Sequence, residues 1–196
     1  MGKKVITMSL SEKSIQNAIQ ELRAYQNSLI YKCQLLAEIL AEKGVEIARV
    51  QIADLDAIFT SELISSVHAE YEGSTKGGGI WAVIAGTDHA AFVEFGTGIV
   101  GQQSPYHGKL PEGVSWQYAS GKTIHQISDG RYGWFYQDDN GDWWFTEGMP
   151  SRPFMYLTAN ELRQIVTQTA KEVFGEWQTT SGYMILKQTF SPMLQR

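Results

Sequence analysis

Between Ser9 and Lys43 the chain holds neither proline nor glycine, and its apolar residues recur at alternating steps of four and three. Ile15, Ile19 and Leu22 are followed by Leu29, Cys33, Leu36 and Leu40, with Gln26 as the one polar interruption. That spacing is the heptad-like period of a helix with one apolar stripe. Ser9 with Glu12 reads as a capping box at its start. A helix of about 33 residues measures roughly 50 Å, more than is needed to lie against a domain of this size. Either it bends, with Cys33 as a small core residue, or one end projects and meets a partner through Leu29, Cys33 and Leu36. Gly44 to Asp56 fits a short strand or more helix, and reads as a frayed continuation.

A second constraint is the run Ala90-Ala91-Phe92-Val93-Glu94-Phe95, which ends in Gly96-Thr97-Gly98. Five of its first six residues are apolar, so burial is expected. Glu94 then needs donors, because an unpaired buried carboxylate is costly. Thr97 and the N–H groups of Gly96 and Gly98 are the nearest, and the glycines permit a positive φ or a close approach. Upstream, Val67, Ala69 and Tyr71 alternate, Ile80 to Ala85 is a short apolar run, and Gly73 to Gly79 is a loose turn. Together they predict a β-hairpin.

Ser104 to Glu147 changes character, holding four of the six tryptophans with no sustained helical period. Trp134 to Gln137 and Trp143 to Thr146 flank Asp138-Asp139-Asn140-Gly141-Asp142, a hairpin signal because Asn-Gly accepts positive φ. Trp134, Trp143 and Trp144 either pack one face on the core or form a contact surface for another protein. After Pro153, Thr158 and Glu161 form a further capping box, and Leu162, Ile165, Val166, Ala170, Val173 and Phe174 make an apolar helix face up to Gly175. The remainder to Arg196, with Trp177, Tyr183, Met184, Ile185, Leu186 and Phe190, is apolar enough for a terminal strand or an arm onto a neighbouring subunit.

Several chemistries lack their residues. Ser120-Gly121-Lys122-Thr123 is half of a phosphate loop, but Trp116 occupies the position of its first glycine. Asp138, Asn140 and Asp142 mimic a calcium loop whose sixth and twelfth positions are here Trp143 and Met149 instead of Gly and Glu. His68, His89, His107 and His125 lie in separate segments without metal-ligand spacing. No cofactor is expected. The single cysteine excludes an internal disulfide. No apolar run approaches the ~20 residues of a membrane span, and Lys3 and Lys4 are not followed by a leader's apolar region. A net charge of −5 argues against affinity gained by neutralising phosphates.

Three blocks carry a family resemblance. Ala91-Phe92-Val93-Glu94-Phe95-Gly96-Thr97-Gly98 resembles the signature of the tail-component proteins of long-tailed bacteriophages, which complete the tail and help join it to the head. Ala57 to Val67, with Thr60 and Leu63, is similar to that family's Thr-Gly-x-Leu segment, although Ser61 replaces the glycine. Gly148 to Met155, with Pro153 and Phe154, is similar to its Pro-x-x-Pro-Phe-Leu block opening a last helix. The match extends from the first helix to Gly175, interrupted by the aromatic insert.

The expected fold is one α+β domain. A long N-terminal helix (9–43) and a C-terminal helix (158–175) pack on a mainly antiparallel sheet, with the sheet and the Glu-Phe-Gly-Thr-Gly turn in 57–98. An aromatic hairpin is inserted in 104–147, and 176–196 is a tail or arm. The resemblance implies a non-enzymatic neck or tail protein of the virion, assembled in the host cytoplasm. Its partners would be other copies of itself in a ring and the phage's neck and tail proteins, with no membrane. Genomic DNA would only pass through the pore, which an acidic chain suits. Two rivals remain: a glycan-binding module built on Trp134, Trp143 and Trp144, and a hydrolase using Glu94, His89 and Asp88.

Overall fold

The computed structural model describes residues 6–57, 61–110, 112–118, 122–138, 140–175, 179–180 and 183–184. Thr60 and Trp177, together with most of the apolar tail, lie outside the described residues. The fold is α+β. In order come α1 (Glu12–Asp54), α2 (Ser61–Ser66), β1 (Val67–Thr75), β2 (Gly78–Ala85), α3 (Ala90–Phe95), α4 (Gly98–Gln103) and β3 (His125–Gln126). They are followed by β4 (Tyr132–Gln137), β5 (Trp143–Thr146), β6 (Gly148–Met149), α5 (Phe154–Gly175), β7 (Thr179–Thr180) and β8 (Tyr183–Met184). Seven of these strands form three small sheets, β1-β2, β3-β4-β5 and β7-β8, while β6 makes isolated bridges to Thr97 and Gly98.

The chain divides into two compact units, 1–40 with 71–81 and 164–196, and 41–70 with 82–163. In the first, Leu29, Cys33 and Leu36 are half-buried. The Cys33 side chain sits where a Cβ at Gly78 would come within 3.1 Å, so this part of the stripe meets the β-hairpin of its own chain. Lys32 is buried and its Nζ donates to the Val173 carbonyl at 2.8 Å. That places a cation on the last turn of α5, where the helix dipole is negative. Towards the start of α1 the stripe opens, with Ile19 and Leu22 exposed.

The second unit holds the core. Ala48 and Ile52 of α1, Leu63 of α2, Val67 of β1, Ala90 and Val93 of α3 and Phe154 of α5 are all buried in one cluster. Val83 and Ala85 of β2 pack against it. Gly44 does not end α1, and the continuation read over Gly44 to Asp56 is a packed part of the helix up to Asp54 instead of a frayed one. A methyl there would come within 2.8 Å of Val83 and 3.1 Å of Leu162. The glycine therefore serves close packing, while Ala48 and Ile52 carry the buried face on at helical spacing. The helix ends at Asp54 and is closed by Asp56, at φ 49°, with the Ala57 N–H returning to the Ile52 carbonyl at 3.0 Å. This is the left-handed C-terminal cap usually made by glycine.

Other boundaries move for similar reasons. The N-terminal cap is Ser11, whose Oγ accepts from the Ser14 N–H at 3.4 Å, and Glu12 is already helical. Residues 61–66 are helix, with Ser65 and Ser66 bonding back to the carbonyls of Glu62 and Leu63. The β1-β2 turn shortens to Lys76-Gly77, held by the Thr75 hydroxyl. The last helix begins at Phe154 instead of at a Thr158 cap. Thr158 is interior, its Oγ1 donating to the Phe154 carbonyl at 2.7 Å.

Candidate functional site

The run 90–98 folds as a helical turn followed by a tight reversal. In α3 the burial is one-sided: Ala90, Val93 and Glu94 face inward while Phe92 is 47% exposed. The expectation of a wholly buried run is thereby corrected, since a helix cannot bury every position of a short apolar stretch. Gly96 and Gly98 take φ of 79° and 65°, which lets Thr97 and Gly98 bridge antiparallel to Met149 and Gly148. The Gly98 N–H reaches the Tyr118 carbonyl at 2.7 Å, and the Trp116 indole donates to the Gly96 carbonyl at 2.8 Å.

Glu94 finds its donors elsewhere than in the Gly-Thr-Gly turn. Its two carboxylate oxygens accept the N–H groups of Met155 at 2.9 Å and Tyr156 at 3.0 Å. These belong to the first turn of α5, whose opening N–H groups have no partner within the helix. Thr97 instead takes the Met149 N–H on its Oγ1 at 3.2 Å. The 94–155 approach is locked by the Arg152 N–H on the Val93 carbonyl at 2.8 Å and the Ser151 hydroxyl on the Glu94 carbonyl at 2.6 Å. Pro153 fits here, having no N–H to lose at the helix entrance. The missed partner had one legible signal, Pro153 just before an apolar residue, which marks a helix start in need of an acceptor.

Around this clasp lies a cleft whose lining includes Glu94, Phe95, Tyr106, Lys109, Tyr156 and Arg163. Phe95 meets Tyr106 edge-on at 4.9 Å between ring centres and Trp116 at 5.0 Å, and Tyr106 meets Tyr156 at 5.8 Å. Burial pushes the Glu94 carboxyl above the usual carboxylate range, and the Met155 and Tyr156 N–H groups pull it part of the way back. Burial raises the Tyr106 phenol as well, helped by the Glu94 charge and then by Tyr156.

The raised Glu94 pKa has a sign. Above the ordinary value of 4.5 the unfolded chain has released its proton while the folded chain still holds one. Stability from Glu94 is therefore greatest below that value and declines as pH rises through the folded pKa. Glu94→Gln removes the titration. Subtracting its urea-unfolding free energy from that of the parent cancels the other carboxyls. The difference is expected to shrink from low pH to neutrality, and a difference that stays constant or grows would contradict the raised Glu94 pKa. The amide also leaves one donor unmet, at about 1–3 kcal/mol.

Asp88 is exposed and His89 only half-buried, and among the described residues neither shares a hydrogen bond or ion pair with Glu94. Both of its oxygens are engaged by main-chain donors of α5, which fixes the carboxylate at the helix entrance. Among the described residues no group of three His, Cys, Asp or Glu is placed to hold a metal ion, and no helix is long and apolar enough to cross a membrane.

The aromatic insert forms the hairpin read from Asn-Gly. Trp134 lies opposite Thr146, Phe135 opposite Phe145, Tyr136 opposite Trp144 and Gln137 opposite Trp143. Asp138 organises the turn: its Oδ1 accepts the N–H groups of Asn140 and Asp142, both at 2.9 Å, and its Oδ2 the Trp144 indole at 2.9 Å. Those bonds, the indole's first, hold the Asp138 carboxyl below its usual range. Since side chains alternate along a strand, Trp134 and Trp144 share one face and Trp143 lies on the other. Trp134 is half-buried, 2.7 Å from where a Cβ on Gly98 would stand, whereas Trp143 is 68% and Trp144 53% exposed.

Compared with protein-family models, curated proteins and solved structures, the chain finds no match.

Proposed function

We propose that the chain is a structural protein of the neck or tail of a long-tailed bacteriophage, completing the tail and joining it to the head through protein contacts. The carrying observation is the meeting of the three motif blocks. Leu63, Val93 and Phe154 share one buried cluster, and Glu94 from one block caps the helix opened by another. Blocks that scaffold one fold are expected to share a core, and these share one. The role of Glu94 is then to hold a helix, which argues against a hydrolase centred on it.

The hairpin is the contact surface in this reading, because its aromatic rings stand exposed on both faces. A glycan platform is less well supported, since it needs rings turned the same way and Trp143 and Trp144 are turned oppositely. In a ring, each copy presents two different patches to its neighbours. The acidic balance keeps DNA from adhering in a channel.

Electron microscopy of lysates from a phage with this gene disrupted tests the proposal, the intact gene being supplied in trans as control. Filled heads beside separate tails, restored to whole particles by the control, are expected. Whole infectious particles without the gene would overturn it.

A further inference from the structure

Among the described residues, the strand that ends the hairpin has an open side: β5 is the edge of its sheet and pairs with β4 alone. The Asp138 N–H bonds to the Asp142 carbonyl at 2.9 Å, closing the turn. Along an antiparallel pair, bonded and non-bonded positions alternate. The pairs Tyr136–Trp144 and Trp134–Thr146 therefore carry the bonds to β4, while Trp143 and Phe145 direct their N–H and C=O groups to the open side. Natural edge strands are blunted by shortness, lysine, proline or a bulge. This one, 4 residues long, reads Trp-Trp-Phe-Thr and carries none of the other three.

Charge narrows the occupant. From Tyr132 to Glu147 the chain has Asp138, Asp139, Asp142 and Glu147 and no lysine or arginine. The face bearing Trp143 already holds one cation. The Arg131 guanidinium lies 5.4 Å from the Phe145 ring centre and pairs with Asp129 at 2.7 Å and Glu147 at 3.5 Å. Trp143, two residues along the same face and the most exposed tryptophan among the described residues, has no such cover among them. Indole is the best ring for a cation.

We infer that the open edge of β5 accepts an extended, basic segment of a neighbouring protein as an added strand, with a lysine or arginine of that segment over Trp143. The inference rests on the reading of the hairpin as a protein contact surface and specifies its partner's chemistry. Main-chain bonds to Trp143 and Phe145 supply affinity, and the Trp143 ring with Asp142 selects charge.

The test uses the full chain and a fluorescein-labelled peptide alternating lysine and valine, followed by anisotropy. Saturable binding that weakens with added salt is expected. A glutamate-valine peptide should not bind, and a lysine peptide with proline at alternate positions should bind at least about tenfold more weakly, because it cannot extend the ladder. Trp143→Ala is expected to weaken binding about fivefold, and Asp142→Lys to weaken it independently, since the Asp142 carboxyl takes no part in the turn bonds. Equal binding of the acidic or proline peptide, no binding of any peptide, or binding of soluble peptidoglycan fragments in their place would each overturn the inference. The fate of the neck reading is separable. If gene disruption divides heads from tails and Trp143→Ala restores whole particles, the joining role stands and the added strand falls.

Discussion

Gly98→Ala is expected to destabilise the fold by about 4 kcal/mol or more, at the upper end of single substitutions. Two effects combine. At φ 65° an alanine costs about 1–2 kcal/mol for its left-handed backbone. The larger effect is steric, because the new methyl would overlap the Glu147 carbonyl and stand 2.7 Å from the Trp134 ring. Neither is the free end of a flexible chain. Relief requires the 96–98 segment to part from 147–149, breaking the bridges of Thr97 and Gly98 to Met149 and Gly148. Gly113→Ala separates the two effects, having φ of 80° and nothing within 4 Å of its added methyl. It is expected to cost only about 1 kcal/mol. Urea unfolding of the pair measures the difference, and equal losses would mean that conformational strain alone makes Gly98 a glycine.

How much of this was legible depended on whether the physics was local. The long helix was visible because its stripe is periodic over many turns, and the Asp138–Asp142 hairpin because Asn-Gly names its own turn. Gly44 made the helix beyond it read as frayed, since glycine's weakening of a helix and its role in close packing look alike until Val83 and Leu162 are in place. Thr158 misled likewise. A threonine three residues before a glutamate suits a cap, but Pro153 and the Glu94 carboxylate had already started the helix four residues earlier. The need of Glu94 for donors could be read from its apolar neighbours. Their identity could not, for Met155 and Tyr156 offer main-chain N–H groups, which every residue but proline carries.

The same division explains why the tryptophans resisted a reading. Density of aromatic residues says that surface will be covered, but not by what, and only the strand register sorts Trp134 with Trp144 and leaves Trp143 on the far face. The half-buried Trp134 belongs to the clasp and the two exposed rings do not. Of Leu29, Cys33 and Leu36, equally plausible from their spacing as a contact between subunits, Cys33 meets its own hairpin at Gly78.

Phe154→Ala supplies the yardstick against which the hairpin is judged. Phe154 is fully buried, in the cluster formed by Ile52, Leu63 and Val93. Emptying such a site removes the ring's transfer free energy and leaves a cavity that the packed elements can only partly close, at about 3–5 kcal/mol. Phe154→Leu, which keeps most of the volume, is expected to lose about 1–1.5 kcal/mol. Trp143→Ala, by contrast, removes a ring that is 68% exposed and is expected to stay within about 0.5 kcal/mol of the parent. Chemical unfolding of the three variants distinguishes core from contact surface. Should Trp143→Ala fall as far as Phe154→Ala, the ring is structural and the hairpin loses its claim to a partner. With Trp143→Ala as stable as the parent but defective in joining, the presence of that bulky ring on an open edge has its explanation in binding, since folding does not require it.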